Sequence, residues 1–389
     1  MPFYRQLGTI PHKRHTVFAK PGGGIYYETL MGNLGFTGLQ SLLYTVRRPT
    51  AVLSIERLSD IVWEADPDRT LSLRHFRTHR LPSAGPSPVT GRTPLLFNGD
   101  VALSLARPSG NDDTFYRNGQ GDEIVFITTG AGVLVSQFGE LPFARGDYVV
   151  IPRGIVHRWR FEARGPILFV IESRGHVRTP RRYRNEHGQL LEHSPFCERD
   201  IRTPSTLVVH GERGEFPILV KQGNAIHRVI LDHHPFDVVG WDGYYYPWAF
   251  NIADFEPITG RIHQPPPVHQ TFEGDGFVIC SFVPRLFDYH PDSIPAPYHH
   301  ANIMSDEVLY YCNEEFMSRK GIEPGSITFH PDGLPHGPQP GKTEESIGKE
   351  RTEELAVMID TFRPLSVARS VLACEDAQYR RSWCEASES

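Results

Sequence analysis

Along most of the chain, apolar residues come in short runs cut by Gly, Pro, Asn or Asp, a pattern that predicts many short strands and few helices. Residues 42–46 (Leu-Leu-Tyr-Thr-Val) and 51–55 (Ala-Val-Leu-Ser-Ile) are predicted strands, bounded by Pro and Arg. The Pro-, Ser-, Gly- and Thr-rich stretch 82–94 is a predicted loop or linker. From about Leu95 to Glu172 strand signals are dense, whereas 176–193, carrying Arg178, Arg181, Arg182 and Arg184, is an expected exposed connection. Strands are expected again from Leu207-Val208-Val209 to Arg363, followed by helical composition over 365–373 and fraying over 385–389.

Two segments repeat. Gly121-Asp122-Glu123-Ile124-Val125 resembles Ser305-Asp306-Glu307-Val308-Leu309. Downstream, Arg145-Gly146-Asp147 through His157 matches Pro324-Gly325-Ser326 through His336, with eleven residues from Gly to His in both copies. A strand carrying Glu, a turn, a second strand and then an inward His resembles a cupin, and two copies resemble a bicupin. The expected fold class is therefore all-β, with two cupin-like barrels in one chain and few short helices. The expected division is an N-terminal β domain, 1–195, with a degenerate cupin at about 95–172. A catalytic C-terminal domain, 196–389, would hold its cupin at about 236–363 and end in a helical tail.

Composition narrows the chemistry. A net charge of −6 offers no basic footprint for nucleic acid. No apolar run approaches membrane-spanning length, and the first residues lack a secretory h-region. The five cysteines form no C-x-x-C pair, which fits reduced thiols in a cytoplasmic protein. Histidine is the outlier: 19 residues, ten of them between His227 and His336, which directs the search to metal chemistry.

A cupin metal site draws ligands from separated strands. His300 lies seven residues before Glu307, Asn302 stands where a second His would fall, and His336 completes the set. Two imidazoles and one carboxylate favour non-haem Fe(II). The rivals are His299, expected to face the other side of its strand, and Asp306, which the repeat disfavours because Asp122-Glu123 aligns with Asp306-Glu307. His330, six residues before His336, is a candidate to orient a ligand or substrate. The N-terminal copy keeps Glu123 and His157 without a first His, so its metal site is expected to be absent and Glu123 to be structural.

With these residues in view, the chain resembles the homogentisate 1,2-dioxygenase family. The stretches that carry the likeness are Tyr298 through Ser305, Glu307, Pro335-His336-Gly337-Pro338, Phe236 through Gly243, and Pro247 through Phe255. Tyr26 through Gly32 adds a weaker match. The resemblance implies Fe(II)-dependent extradiol-type ring cleavage: homogentisate would bind iron through its C2 phenolate and acetate carboxylate, and O₂ would open the ring to maleylacetoacetate. It also implies a histidine base, best matched by His263 with His269 as substitute, and a homo-oligomer, trimer or hexamer. The family's substrate-holding tyrosine has no clear counterpart, since Phe316 falls nearest and Tyr310 or Tyr311 would have to replace it. The expected substrate-binding residues are thus His330, Asn302, Tyr310 and Arg319, with Lys320 as an alternative carboxylate binder. Competing readings are cleavage of gentisate or another hydroxylated aromatic acid, a metal-dependent isomerase, and a non-catalytic bicupin for binding or storage.

Overall fold

The computed structural model describes residues 3–111, 113–163 and 165–384; the end residues 385–389, expected to fray, lie outside them. Strands dominate, and the α-helix among the described residues is one short turn, Lys342–Ser346. No helix of the described residues is long and apolar enough to cross a membrane. The chain is a bicupin: two barrel units built on separate sheets.

The N-terminal unit combines an eight-stranded and a seven-stranded sheet. The strand Asp122–Thr129 is central in the first, between Asp147–Ile151 and Ile167–Ser173. Alternating side chains from both sheets, including Leu134, Trp159, Ile124 and Val170, are buried in one apolar cluster. The C-terminal unit is built on six strands, and its central strand Asp306–Tyr311 lies between Ser326–His330 and Ala356–Thr361.

Strand pairing runs across residue 195. Arg213–Gln222 pairs in parallel with Phe115–Asn118, and Trp248–Asn251 pairs with Asp147–Ile151. Conversely, Arg74–Arg77 supplies the edge strand beside Ser326–His330. The two units meet where Tyr310 stacks on Phe169 at 4.5 Å and its hydroxyl bonds the Thr128 hydroxyl at 2.9 Å. Such stacking contributes about 0.5–1.5 kcal/mol beyond the area buried.

Three local expectations need correction. Residues 207–209 form no strand, and Val208 and Val209 are half exposed, because the next strand begins only at Arg213. The connection 176–193 is not wholly exposed: Val177, Tyr183 and Leu190 are buried and anchor it to the core. The helical tail consists of 3-10 turns, Arg369–Cys374 and Tyr379–Arg381.

Candidate metal centre

Alternation along Asp306–Tyr311 sorts its side chains. Glu307 and Leu309 face the C-terminal cavity, while Val308 and Tyr310 enter the core shared with the N-terminal unit. Asp306 points away from Glu307 and accepts from the backbone N–H groups of Asp332 (2.8 Å) and Leu365 (2.6 Å). It therefore pins the turn that leads to His336. Asp122 does the same in the first repeat, accepting from Arg153 N–H at 2.8 Å.

His300 and His336 form an antiparallel bridge in which each backbone N–H donates to the other's carbonyl at 2.8 Å. Their rings stand 4.3 Å apart between centroids. Each Nδ1 lies against a carbonyl two residues back, Tyr298 O at 3.1 Å and Leu334 O at 3.2 Å. A carbonyl only accepts, so Nδ1 carries the proton and the Nε2 lone pair is left pointing inward. Those Nε2 atoms lie 3.8 Å and 3.6 Å from Glu307 Oε2, too far for hydrogen bonds. The three ligand-capable atoms fall within 4.8 Å of one another. His336 Nε2 is buried with no hydrogen-bond partner, and Glu307 is buried too. Burial alone would raise the Glu307 pKa, but hydrogen bonding, with His330 Nδ1 at 2.6 Å from Oε1, holds it well below the usual carboxylate range. Two neutral imidazole nitrogens and a carboxylate around a shared gap are a donor set that a divalent metal ion satisfies.

Behind this set His330 is fully buried, with Nδ1 at 2.6 Å from Glu307 Oε1 and Nε2 at 3.0 Å from the Tyr379 hydroxyl. Burial and the nearby Arg319 guanidinium push its pKa down to about 3, so it is neutral. Arg319, expected to contact substrate, is buried and donates to Gly337 O at 2.8 Å. Asp360, opposite Glu307 in register, is pushed up to about 8 by burial and by the Glu307 charge. Sequence reasoning missed it, although the repeat pairs it with Glu172, which opposes Glu123.

A cavity of about 420 Å³ opens over the set, walled on one side by Phe282, Leu309, Phe316 and Met358. His263, Asn302 and Arg319 reach it, as does His269. His263 is half exposed, 3.9 Å from Asp288, whereas His269 is buried against Phe282 and its pKa is well below the ordinary value because of that burial. Two expected substrate contacts are not brought to the cavity. Tyr310 lies on the opposite face of its strand, and His330 sits behind Glu307. Tyr311 bonds Thr328 and does not replace the missing tyrosine, and Lys320, the alternative carboxylate binder, donates to Pro340 O and does not line the cavity.

The first repeat builds the same frame around a different partner for its glutamate. His157 Nδ1 lies 3.0 Å from Ile155 O, as His336 does from Leu334 O. Glu123, however, is bound by both terminal nitrogens of Arg92 (2.9 and 2.8 Å), by Tyr116 and by Asn118. A guanidinium thus supplies the positive charge beside that glutamate.

A family model described as homogentisate 1,2-dioxygenase N-terminal matches residues 98–252. “Putative dioxygenase SSO1533” of Saccharolobus solfataricus is 40% identical over 390 residues, covering 98% of this chain and 99% of that protein. Homogentisate 1,2-dioxygenase of Bradyrhizobium diazoefficiens is 27% identical over 380 residues, 88% of this chain and 82% of that one. The chain belongs to the homogentisate 1,2-dioxygenase family. Within that family of dioxygenases it is a divergent, short member. Among solved structures, a cupin 2 conserved barrel domain protein from Leptotrichia buccalis aligns at 10% identity over 76% of this chain and 99% of its own, with a TM-score of 0.37.

Proposed function

We propose that this protein is an Fe(II)-dependent ring-cleaving dioxygenase that opens homogentisate with O₂ to maleylacetoacetate, His300, Glu307 and His336 holding the iron. The observation that carries this is the convergence of two inward Nε2 lone pairs and one buried carboxylate within 4.8 Å, with His300 and Glu307 lining a cavity of about 420 Å³. Bound iron(II) supplies the one-electron chemistry by which an electron-rich ring can react with triplet O₂.

The chain's own part is binding and proton handling. The apolar wall of Phe282, Leu309, Phe316 and Met358 takes the flat ring and excludes water around it. His263, at the cavity wall with Asp288 3.9 Å away, accepts the proton of the reacting hydroxyl. His269 suits that role less, because burial against Phe282 opposes its protonation. Arg319 contributes a fixed positive charge where an acid group enters, and Asn302 lines the same space.

Phe316 in place of a tyrosine favours a second reading, in which the substrate is gentisate or another hydroxylated aromatic acid that needs no hydroxyl at that position. Oxygen uptake by iron-reconstituted protein, compared between homogentisate and gentisate, tests both. Uptake with homogentisate supports the first reading, uptake confined to another dihydroxy acid selects the second, and none with any of them refutes ring cleavage.

A further inference from the structure

Among the described residues, the side-chain hydrogen bond of ordinary length to Glu307 comes from His330, at 2.6 Å; His300, His336 and Arg319 stand 3.8, 3.6 and 3.9 Å away. The orientation of that carboxylate therefore depends on His330. His330 can donate to it only if its proton is on Nδ1, because a carboxylate accepts and does not donate. The other tautomer would turn a lone pair toward the carboxylate. With the proton on Nδ1, the Nε2 lone pair accepts from the Tyr379 hydroxyl at 3.0 Å, and that second bond holds the ring in the plane that serves Glu307.

Tyr379 belongs to the C-terminal turns and is itself firmly placed. Just before it, Glu375 binds Arg74 at 2.7 and 2.6 Å, and Asp376 accepts from Arg77 at 3.0 Å. The Tyr379 ring lies 5.3 Å from His75 and is parallel to His330 within 11°. Trp383 follows and donates from Nε1 to Gly337 O at 3.1 Å, on the carbonyl that Arg319 also holds. The same indole lies 5.6 Å under the Arg319 guanidinium. In the first repeat the residue opposite Glu123 in the corresponding register is Ile151, so that copy has no His330 and no place for such a chain.

We propose that Tyr379 and Trp383 are positioning residues of the metal centre: Tyr379 holds the His330 ring in the orientation that donates to Glu307, and Trp383 fixes the backbone next to His336. The proposal rests on the reading of His300, Glu307 and His336 as ligands. Outer groups of this kind are worth roughly ten- to hundred-fold in metal affinity.

The test is anaerobic titration of the full apo chain with Co(II), reading the dissociation constant and the visible d–d spectrum, with the apo melting temperature as folding control. Tyr379→Phe should bind roughly ten- to hundred-fold more weakly with shifted bands. Tyr246→Phe, which loses a buried hydroxyl bond to Phe3 O remote from the site, should leave both readouts unchanged. A Tyr379→Phe protein that melts lower but binds Co(II) within about twofold of the parent, with a superimposable spectrum, would overturn the proposal. If that variant does not fold, Trp383→Phe decides: weaker binding supports the positioning role and unchanged binding overturns it. Failure of the parent chain to bind Co(II) would instead reject the ligand reading beneath it.

Discussion

Exchanging Arg92 for methionine should expose how the N-terminal repeat compensates its buried glutamate. The variant would leave Glu123 buried beside His157, with the Tyr116 hydroxyl at 3.1 Å and the Asn118 amide at 2.9 Å still donating to it. Removing one partner of a buried pair costs about 3–5 kcal/mol, because the remaining charge is uncompensated. Changing Glu123→Gln in the same protein removes that charge while keeping an oxygen for Tyr116 and Asn118, so the double variant should cost only about 1–3 kcal/mol, the price of one unpaired amide. Denaturant unfolding of both single variants and the double variant would give the coupling energy. The pH dependence supplies a second arm. Burial opposes ionisation, yet Arg92 holds the Glu123 pKa down at about 2, below its unfolded value. A depressed carboxylate pKa means stability that is complete above about pH 4.5 and lost as pH falls toward 2, on the order of 3 kcal/mol for a shift of this size. Glu123→Gln should lose that component of the pH dependence. A coupling energy below about 0.5 kcal/mol, within the error expected of independent sites, would refute the reasoning.

Three further outcomes follow from the C-terminal site. His300→Ala and His336→Ala should each abolish stoichiometric metal binding, while Asp306→Ala should retain it and lose about 2–4 kcal/mol of stability with its two backbone bonds; calorimetric metal titration and denaturant unfolding separate the two classes. His263→Gln should bind metal and substrate with turnover reduced roughly 10²-fold or more, the scale of a lost general base, and single-turnover kinetics would show whether the chemical step is the one slowed. Gly337→Ala would place a Cβ 2.8 Å from His299 Cα and its ring, pushing apart the bridge that pairs His300 with His336. Weaker metal binding with little change in folding, read by titration and circular dichroism, is the expected result.

How much of this was legible in the chain differs from residue to residue. The repeat was legible because turn glycines and the Asp-Glu pair recur at fixed spacing, and that spacing also resolved Glu307 from Asp306. The structure gives the reason: in both copies the aspartate caps the turn, while Glu307 faces the cavity and Glu123 meets Arg92. Tyr310 was misplaced because strand alternation, applied from Glu307, sends even-numbered residues to the opposite face; the motif distracted from the period. His330 was seen, but its role behind the carboxylate depends on strand register that only pairing reveals. Arg319 looks like a solvated charge until Trp383, far along the chain, covers it. Arg92 comes from a segment read as linker, and no local pattern marks it as the partner of Glu123. Partners supplied from distant segments have no periodicity to announce them.

The most direct measurement of the central proposal is anaerobic reconstitution of the full chain with Fe(II), followed by oxygen uptake on adding homogentisate or gentisate. The account predicts about one iron per chain, held through His300, Glu307 and His336, and O₂ consumed one-for-one with ring-opened product. Stoichiometric iron with no oxygen uptake for any dihydroxy aromatic acid, or full uptake by the His300→Ala protein, would contradict it.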